Sequence, residues 1–243
     1  MIKKTFAIIV IALAVCSVHA QNIQLHYDFG RARDGKTENK DGFLTSTIEM
    51  FRPDKWGSTF FFVDMNYNAP KGGVSLAYWE IARDFKISDK FPVMPHIEYN
   101  GGFATNYSKN AQGDYEAVGG GISFRNAWLF GASYPFSLGK GSFSTYVAYK
   151  YIVKNTQPDF QWTATWFYPL FDNKVTLCGF MDVWTDDKNT KGDKKIVFLT
   201  EPQFWFNATP NFSVGSEIEI SKNFVFGSDK VEVFPTAAVK WTF

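Results

Sequence analysis

The chain closes on a segment, residues 231–243, in which apolar and polar side chains alternate one by one and the last residue is Phe243. Val233, Pro235, Ala237, Val239, Trp241 and Phe243 share one parity, while Glu232, Thr236, Ala238, Lys240 and Thr242 share the other. Successive side chains of a strand point to opposite faces, so this is a strand with one greasy side and one polar side. The pattern recurs upstream. Ile23, Leu25, Tyr27 and Phe29 oppose Gln24, His26 and Asp28; Leu44, Ser46, Ile48 and Met50 oppose Thr45, Thr47 and Glu49. Phe61, Val63 and Met65 oppose Phe60, Phe62, Asp64 and Asn66; Ile196, Phe198, Phe204 and Phe206 oppose Lys195, Glu201 and Gln203; Val214, Ile218 and Ile220 oppose Ser213, Glu217 and Glu219. No segment repeats apolar residues at helical spacing over a useful length, so the expected fold class is all-β.

Residues 1–20 stand apart. Lys3 and Lys4 precede the short apolar stretch from Ala7 to Val15, and Val18-His19-Ala20 places small residues where a signal peptidase cuts. This predicts a signal peptide cleaved after Ala20 and one domain over 21–243. Leu13-Ala14-Val15-Cys16 also resembles a lipoprotein box, but Val before the Cys fits it poorly. Without the leader the chain carries 23 Lys+Arg against 24 Asp+Glu, since only Lys3 and Lys4 are lost. That balance offers no basic excess for nucleic acid. Cys178 is then the one remaining cysteine, which excludes an internal disulfide. No apolar run approaches the ~18 residues of a membrane-spanning helix, so a helical membrane protein is excluded.

A strand with two unlike faces suits either a sandwich in water or a barrel wall between lipid and a wet lumen; the connectors discriminate. Long polar ones fall at Arg31–Asp41, Thr105–Asp114, Asp186–Lys194 and Asn223–Lys230, short ones at Pro53–Trp56, Ser88–Lys90, Asp172–Lys174 and Thr209–Asn211. Alternation of tight turns with long loops is the habit of outer-membrane barrels, with the tight side periplasmic. The phase of Val118, Ile122, Phe124, Trp128, Phe130, Ala132, Tyr134 and Phe136 predicts one long strand without a slip, turning at Leu138–Gly141. Asn126 is its misfit at an outward position. The result is a transmembrane antiparallel up-and-down β-barrel of about twelve strands in the outer membrane of a Gram-negative-type bacterium. Its partners are then outer-membrane lipid and the barrel-assembly machinery, which would read the terminal Phe243.

The inward parity collects the carboxylates Asp28, Glu49, Asp64, Glu80, Glu98, Asp182, Glu201, Glu217 and Glu219. It also collects Phe60, Phe62, Tyr78, Tyr146, Phe180, Trp184, Trp205 and Phe234, with Arg125, Lys150, Lys240, His26 and His96. Inward acids and bases can pair and plug a small lumen. Rings interleaved with hydrogen-bonding groups instead suit a solute that has both a planar ring and hydroxyls. From this set the expected solute-binding residues are Glu49, Phe60, Phe62, Asp64, Tyr78, Glu80, Phe180, Asp182, Glu201, Trp205 and Glu217.

The stretch Glu49-Met50-Phe51, Trp56, Phe60-Phe61-Phe62 and Asp64 resembles the early hairpin of Tsx-like nucleoside-specific channel-forming proteins. Glu80-Ile81 with Phe85 and Ile87, Thr200-Glu201-Pro202-Gln203, Gly215-Ser216-Glu217-Ile218-Glu219 and Lys240-Trp241-Thr242-Phe243 resemble later strands of that family. The resemblance implies a twelve-stranded barrel with a narrow pore for nucleosides, bases held between aromatics and riboses by charged or polar groups. Glu49, Asp64 and Glu80 fall on matching motif positions.

Other functions are weaker. An outer-membrane hydrolase or acyltransferase needs a base beside a nucleophile, and neither His26 nor His96 has a Ser at close spacing on its own strand. His26, Asp28 and His96 are the residues a metal would use, with nothing in sequence to make them converge. A structural or adhesive barrel would want more distinctive outer loops, and a channel for hydrophobic solutes a less acidic lumen. The expectation is therefore a passive channel for small polar ring-containing solutes, nucleosides first, with no catalytic residues, metal or other cofactor.

Overall fold

In a computed structural model the described residues are 20–33, 36–37, 42–70, 72–155, 157–188, 193–225 and 227–243. The expected leader except for Ala20, and parts of the loops expected at 31–41 and 186–194, lie outside them. The alternating segments form β1 (Ala20–Asp28), β2 (Ala32–Arg33), β3 (Lys36–Thr37), β4 (Phe43–Asp54), β5 (Gly57–Asn66), β6 (Leu76–Phe85) and β7 (Met94–Lys109). They continue as β8 (Tyr115–Leu138), β9 (Gly141–Ile152), β10 (Asp159–Leu170), β11 (Val175–Asp187), β12 (Lys194–Thr200), β13 (Gln203–Asn207), β14 (Phe212–Lys222) and β15 (Val231–Thr242). Apart from the small β2–β3 ribbon, the strands pair antiparallel in one sheet that closes on itself.

The first and last strands meet, with Ile23 opposite Trp241 and Leu25 opposite Val239, so closure leaves no free edge. β12 and β13 both lie between β11 and β14. They are two halves of one stave, and the barrel has twelve. The break comes at Glu201-Pro202, where proline has no N–H to give the ladder. Here Gly179 of β11 takes φ +146°, and a Cβ on it would lie 2.4 Å from the Glu201 carbonyl oxygen. Gly179→Ala is therefore expected to destabilise the barrel by about 1–3 kcal/mol, read as a lower urea midpoint in lipid vesicles. An unchanged midpoint would mean the two staves separate freely here.

The faces follow the alternation. Ile23, Leu25, Ile81, Phe130, Val147, Phe160, Ile196 and Trp241 are exposed on the outside, whereas Gln24, His26, Glu98, Lys150, Gln161 and Asp182 are buried within. An apolar outer band around a polar interior is the transmembrane barrel pattern.

Two features depart from expectation. β7 runs on into the loop expected at 105–114, leaving only residues 110–114 between it and β8. The long strand β8 is present as one element, but its phase does slip. Asn100 pairs with Ala127 while Gly102 pairs with Phe124, so Arg125 and Asn126 form a bulge. Past it, Ser123 pairs with the outward Phe103, so even numbers no longer share the face of Trp128. Two residues facing one reverse the alternation, and the excess residue is absorbed in pairing, which a single strand's phase does not record. Asn126 is accommodated there: its Oδ1 accepts from the Tyr99 hydroxyl at 3.2 Å and its Nδ2 donates to Ser123 at 2.5 Å.

Candidate functional site in the barrel lumen

Inward side chains from most staves surround a cavity of about 410 Å³ toward the end of the lumen that carries the β11–β12 and β14–β15 loops. Its floor and walls include Phe62 and Asp64 of β5, Tyr78 and Glu80 of β6, and Asn100 of β7. Across from these stand Phe180 and Asp182 of β11, Glu201, and Glu217 of β14. Eight of the eleven expected site residues thus converge on one space. Glu49, Phe60 and Trp205 do not line it.

Short bonds hold the walls in place. The Tyr78 hydroxyl donates to Glu80 at 2.6 Å, Thr163 to Asp182 at 2.5 Å, and Gln203 to Glu217 at 2.6 Å. Asp64 accepts from Thr47. The Phe60, Phe62 and Tyr78 rings form a tilted row with centroids about 6 Å apart. Lys150 donates to Gln161 at 2.6 Å and sits 4.4 Å from the Trp184 ring centroid. Ladders of this kind fix each head group, because a buried polar group left unsatisfied costs more than its bond contributes.

Beside the cavity, toward the short turns that precede β11 and follow β13, the lumen is filled. Trp205 is fully buried, its indole N–H donating to Gln203 at 2.9 Å while Lys240 lies 4.0 Å from its ring centroid. The edge of His26 meets the same ring at 6.1 Å, and Glu49 accepts from Asn22 at 2.9 Å. A second network holds His96 between Asp84 (2.8 Å) and Glu98 (3.3 Å), its ring stacked on Tyr146 at 4.1 Å.

Several lining residues escaped sequence reasoning. Asn100 and Gln161 lie in phase with neighbouring inward residues, so parity could have found them. Phe224 could not be found so: it belongs to the β14–β15 loop, yet packs edge-on against Trp184 at 5.8 Å. Val197 and Leu199 complete an apolar cluster with Trp184 on that side of the lumen. The side chain of Arg125, expected inward, lies outside the described residues.

His26 contacts Gln24 and Thr236, and His96 contacts Asp84 and Glu98. The Ser133 hydroxyl shares Asp84 with His96 and bonds the acid rather than the imidazole. Among the described residues no group of three or more His, Cys, Asp or Glu is placed to hold a metal ion.

The model of a protein family described as a domain of unknown function, DUF5020, matches residues 20–243, the whole barrel. The chain belongs to the DUF5020 family. A search of curated protein sequences finds no match. Among solved structures this DUF5020 barrel is similar to the NanC porin, with TM-score 0.55 and 11% identity over 92% of this chain and 100% of that one. It also aligns with the KdgM porin, at TM-score 0.45 and 9% identity over 93% and 99% of the two chains. A further match is outer membrane phospholipase A from Escherichia coli, at TM-score 0.47 and 8% identity over 91% and 95%. At such identity the likeness to the NanC porin speaks for the fold alone.

Proposed function

We propose that this protein is an outer-membrane channel for passive, weakly selective uptake of small polar solutes that carry a ring, nucleosides being the first to try. The observation that carries this reading is the cavity itself, where Phe62, Tyr78 and Phe180 share one space with Asp64, Glu80 and Glu201. Stacking a base on a ring contributes about 1–3 kcal/mol, enough to hold a solute briefly. A transport path must also release what it binds, which favours such weak contacts. The resemblance of residues 49–64 to the early hairpin of the Tsx-like channels supports the choice of nucleosides. Export by the leader, cut after Ala20, and recognition of the exposed Phe243 by the assembly machinery would bring the barrel to its membrane.

One observation favours a second reading, a plugged barrel: Trp205, Gln24 and His26 are buried together beside the cavity. Uptake into proteoliposomes separates the two. Uridine is expected to enter faster than a size-matched sugar, and Phe62→Ala or Asp64→Ala to narrow that gap while the barrel still assembles. Equal rates for both solutes would reject selectivity, and no uptake at all would favour the plug.

A further inference from the structure

Eight of the described side chains around the cavity are carboxylates, against Lys150 and His26. Glu201 lies within electrostatic reach of Glu217, Glu219, Asp64 and Glu80. The donors that orient Asp64, Glu80, Asp182 and Glu217 are Thr47, Tyr78, Thr163 and Gln203, all neutral, so they position charge without cancelling it. His26 stands 3.9 Å from Glu217, and Lys150, bonded to Gln161 and beside Trp184, also acts on Glu80 and Asp182, so two basic groups stand against eight acids. Like charges gathered between low-dielectric walls repel, and a cation entering among them is attracted by all of them.

A second observation is independent of the acids. Asn100, only 2% exposed, lines the same cavity, and its Oδ1 has no hydrogen-bond partner. A buried acceptor without a donor is costly, and a ligand N–H would satisfy it. Asn100 faces Glu80 directly across the β6–β7 ladder, and Tyr78 and Phe62 follow along the same wall. Acceptor, carboxylate and ring faces therefore stand side by side. The same acids do not converge in a metal-holding group among the described residues, which favours an extended organic cation.

We propose that the cavity selects small organic ammonium ions carrying a ring, the ammonium donating to Asn100 Oδ1 and Glu80 and the ring lying against Phe62 and Tyr78. This rests on the channel reading and adds, among its ring-bearing solutes, a preference for those that carry a positive charge. Ammonium–carboxylate bonds are charge-assisted, and an ammonium close to an aromatic face gains further attraction.

The test is calorimetric titration of the full barrel in detergent with 2-phenylethylammonium and, separately, phenylacetate. The cation is expected to bind at least about tenfold tighter than the anion, the equivalent of one hydrogen bond to a charged group. Asn100→Leu and Glu80→Gln are each expected to weaken the cation by about tenfold, with barrel folding followed by heat-dependent gel mobility. Should a variant fail to fold, the cation–anion comparison on the unaltered protein still decides. Equal binding of both probes, or no binding of the cation, overturns the proposal. Planar-bilayer conductance is read alongside: cation binding without conductance would sink the channel reading alone, and conductance without cation preference would sink this inference alone.

Discussion

Replacing Trp205 with alanine is expected to lower barrel stability by about 3–5 kcal/mol and to raise single-channel conductance. The indole is completely buried, anchored through its N–H to Gln203, roofed by the Lys240 ammonium and met edge-on by His26. Truncation removes all three contacts and leaves a void that the stiff wall cannot collapse, because hydrogen-bonded staves fix the distance between their side chains. It also strips the bulkiest fully buried group from the short-turn side of the cavity, where a solute would have to pass. Urea midpoints in vesicles read the first effect and bilayer recordings the second. Unchanged conductance would place the permeation path along another wall, away from β13.

Lys150→Met is expected to cost about 1.5–3 kcal/mol, although the two side chains are similar in length, because a charged hydrogen bond is lost. Lys150 is 8% exposed and its ammonium acts on both Glu80 and Asp182. Taking away the cation leaves those acids repelling each other and strands the Gln161 Oε1 that accepts from it at 2.6 Å, a buried acceptor without its donor. The same change should deepen the negative potential of the cavity and shift the reversal potential in a salt gradient toward cation selectivity. A Met variant with the stability and selectivity of the original would show that water, rather than Lys150, compensates these carboxylates.

Much of the wall was legible in the chain. The parity of Ile23, Leu25 and Tyr27 against Gln24, His26 and Asp28 survives unaltered in β1, because a strand with lipid on one side cannot rotate without putting charge in oil. Only the C-terminal part of β8 followed its expected phase, with Trp128, Phe130, Tyr134 and Phe136 exposed on one face, while the strand runs on to Tyr115 in the other phase. The reversal at Arg125 and Asn126 was not legible, because a bulge exists only between two strands. The first half of the polar loop expected at 105–114 likewise turned into strand, as β7 and β8 pair with each other beyond the other staves.

For the candidate site the division is similar. Parity named Glu80 and Asp182 as inward, but gave Trp205 the same standing as Phe62, although one is packed under Lys240 and the other lines open space. Height along the barrel depends on stave tilt and register, which are collective properties of the closed sheet. Alternation, connector length and the aromatic terminus are local, so the sequence by itself determined that this chain makes an all-β wall with an oily and a wet face. Which wet side chains meet across the lumen was decided only by closure. Register between neighbouring staves sets Asn100 beside Glu80, closure brings Asp182 into the same space from the other side, and the β14–β15 loop folds Phe224 onto Trp184, contacts that no single strand encodes.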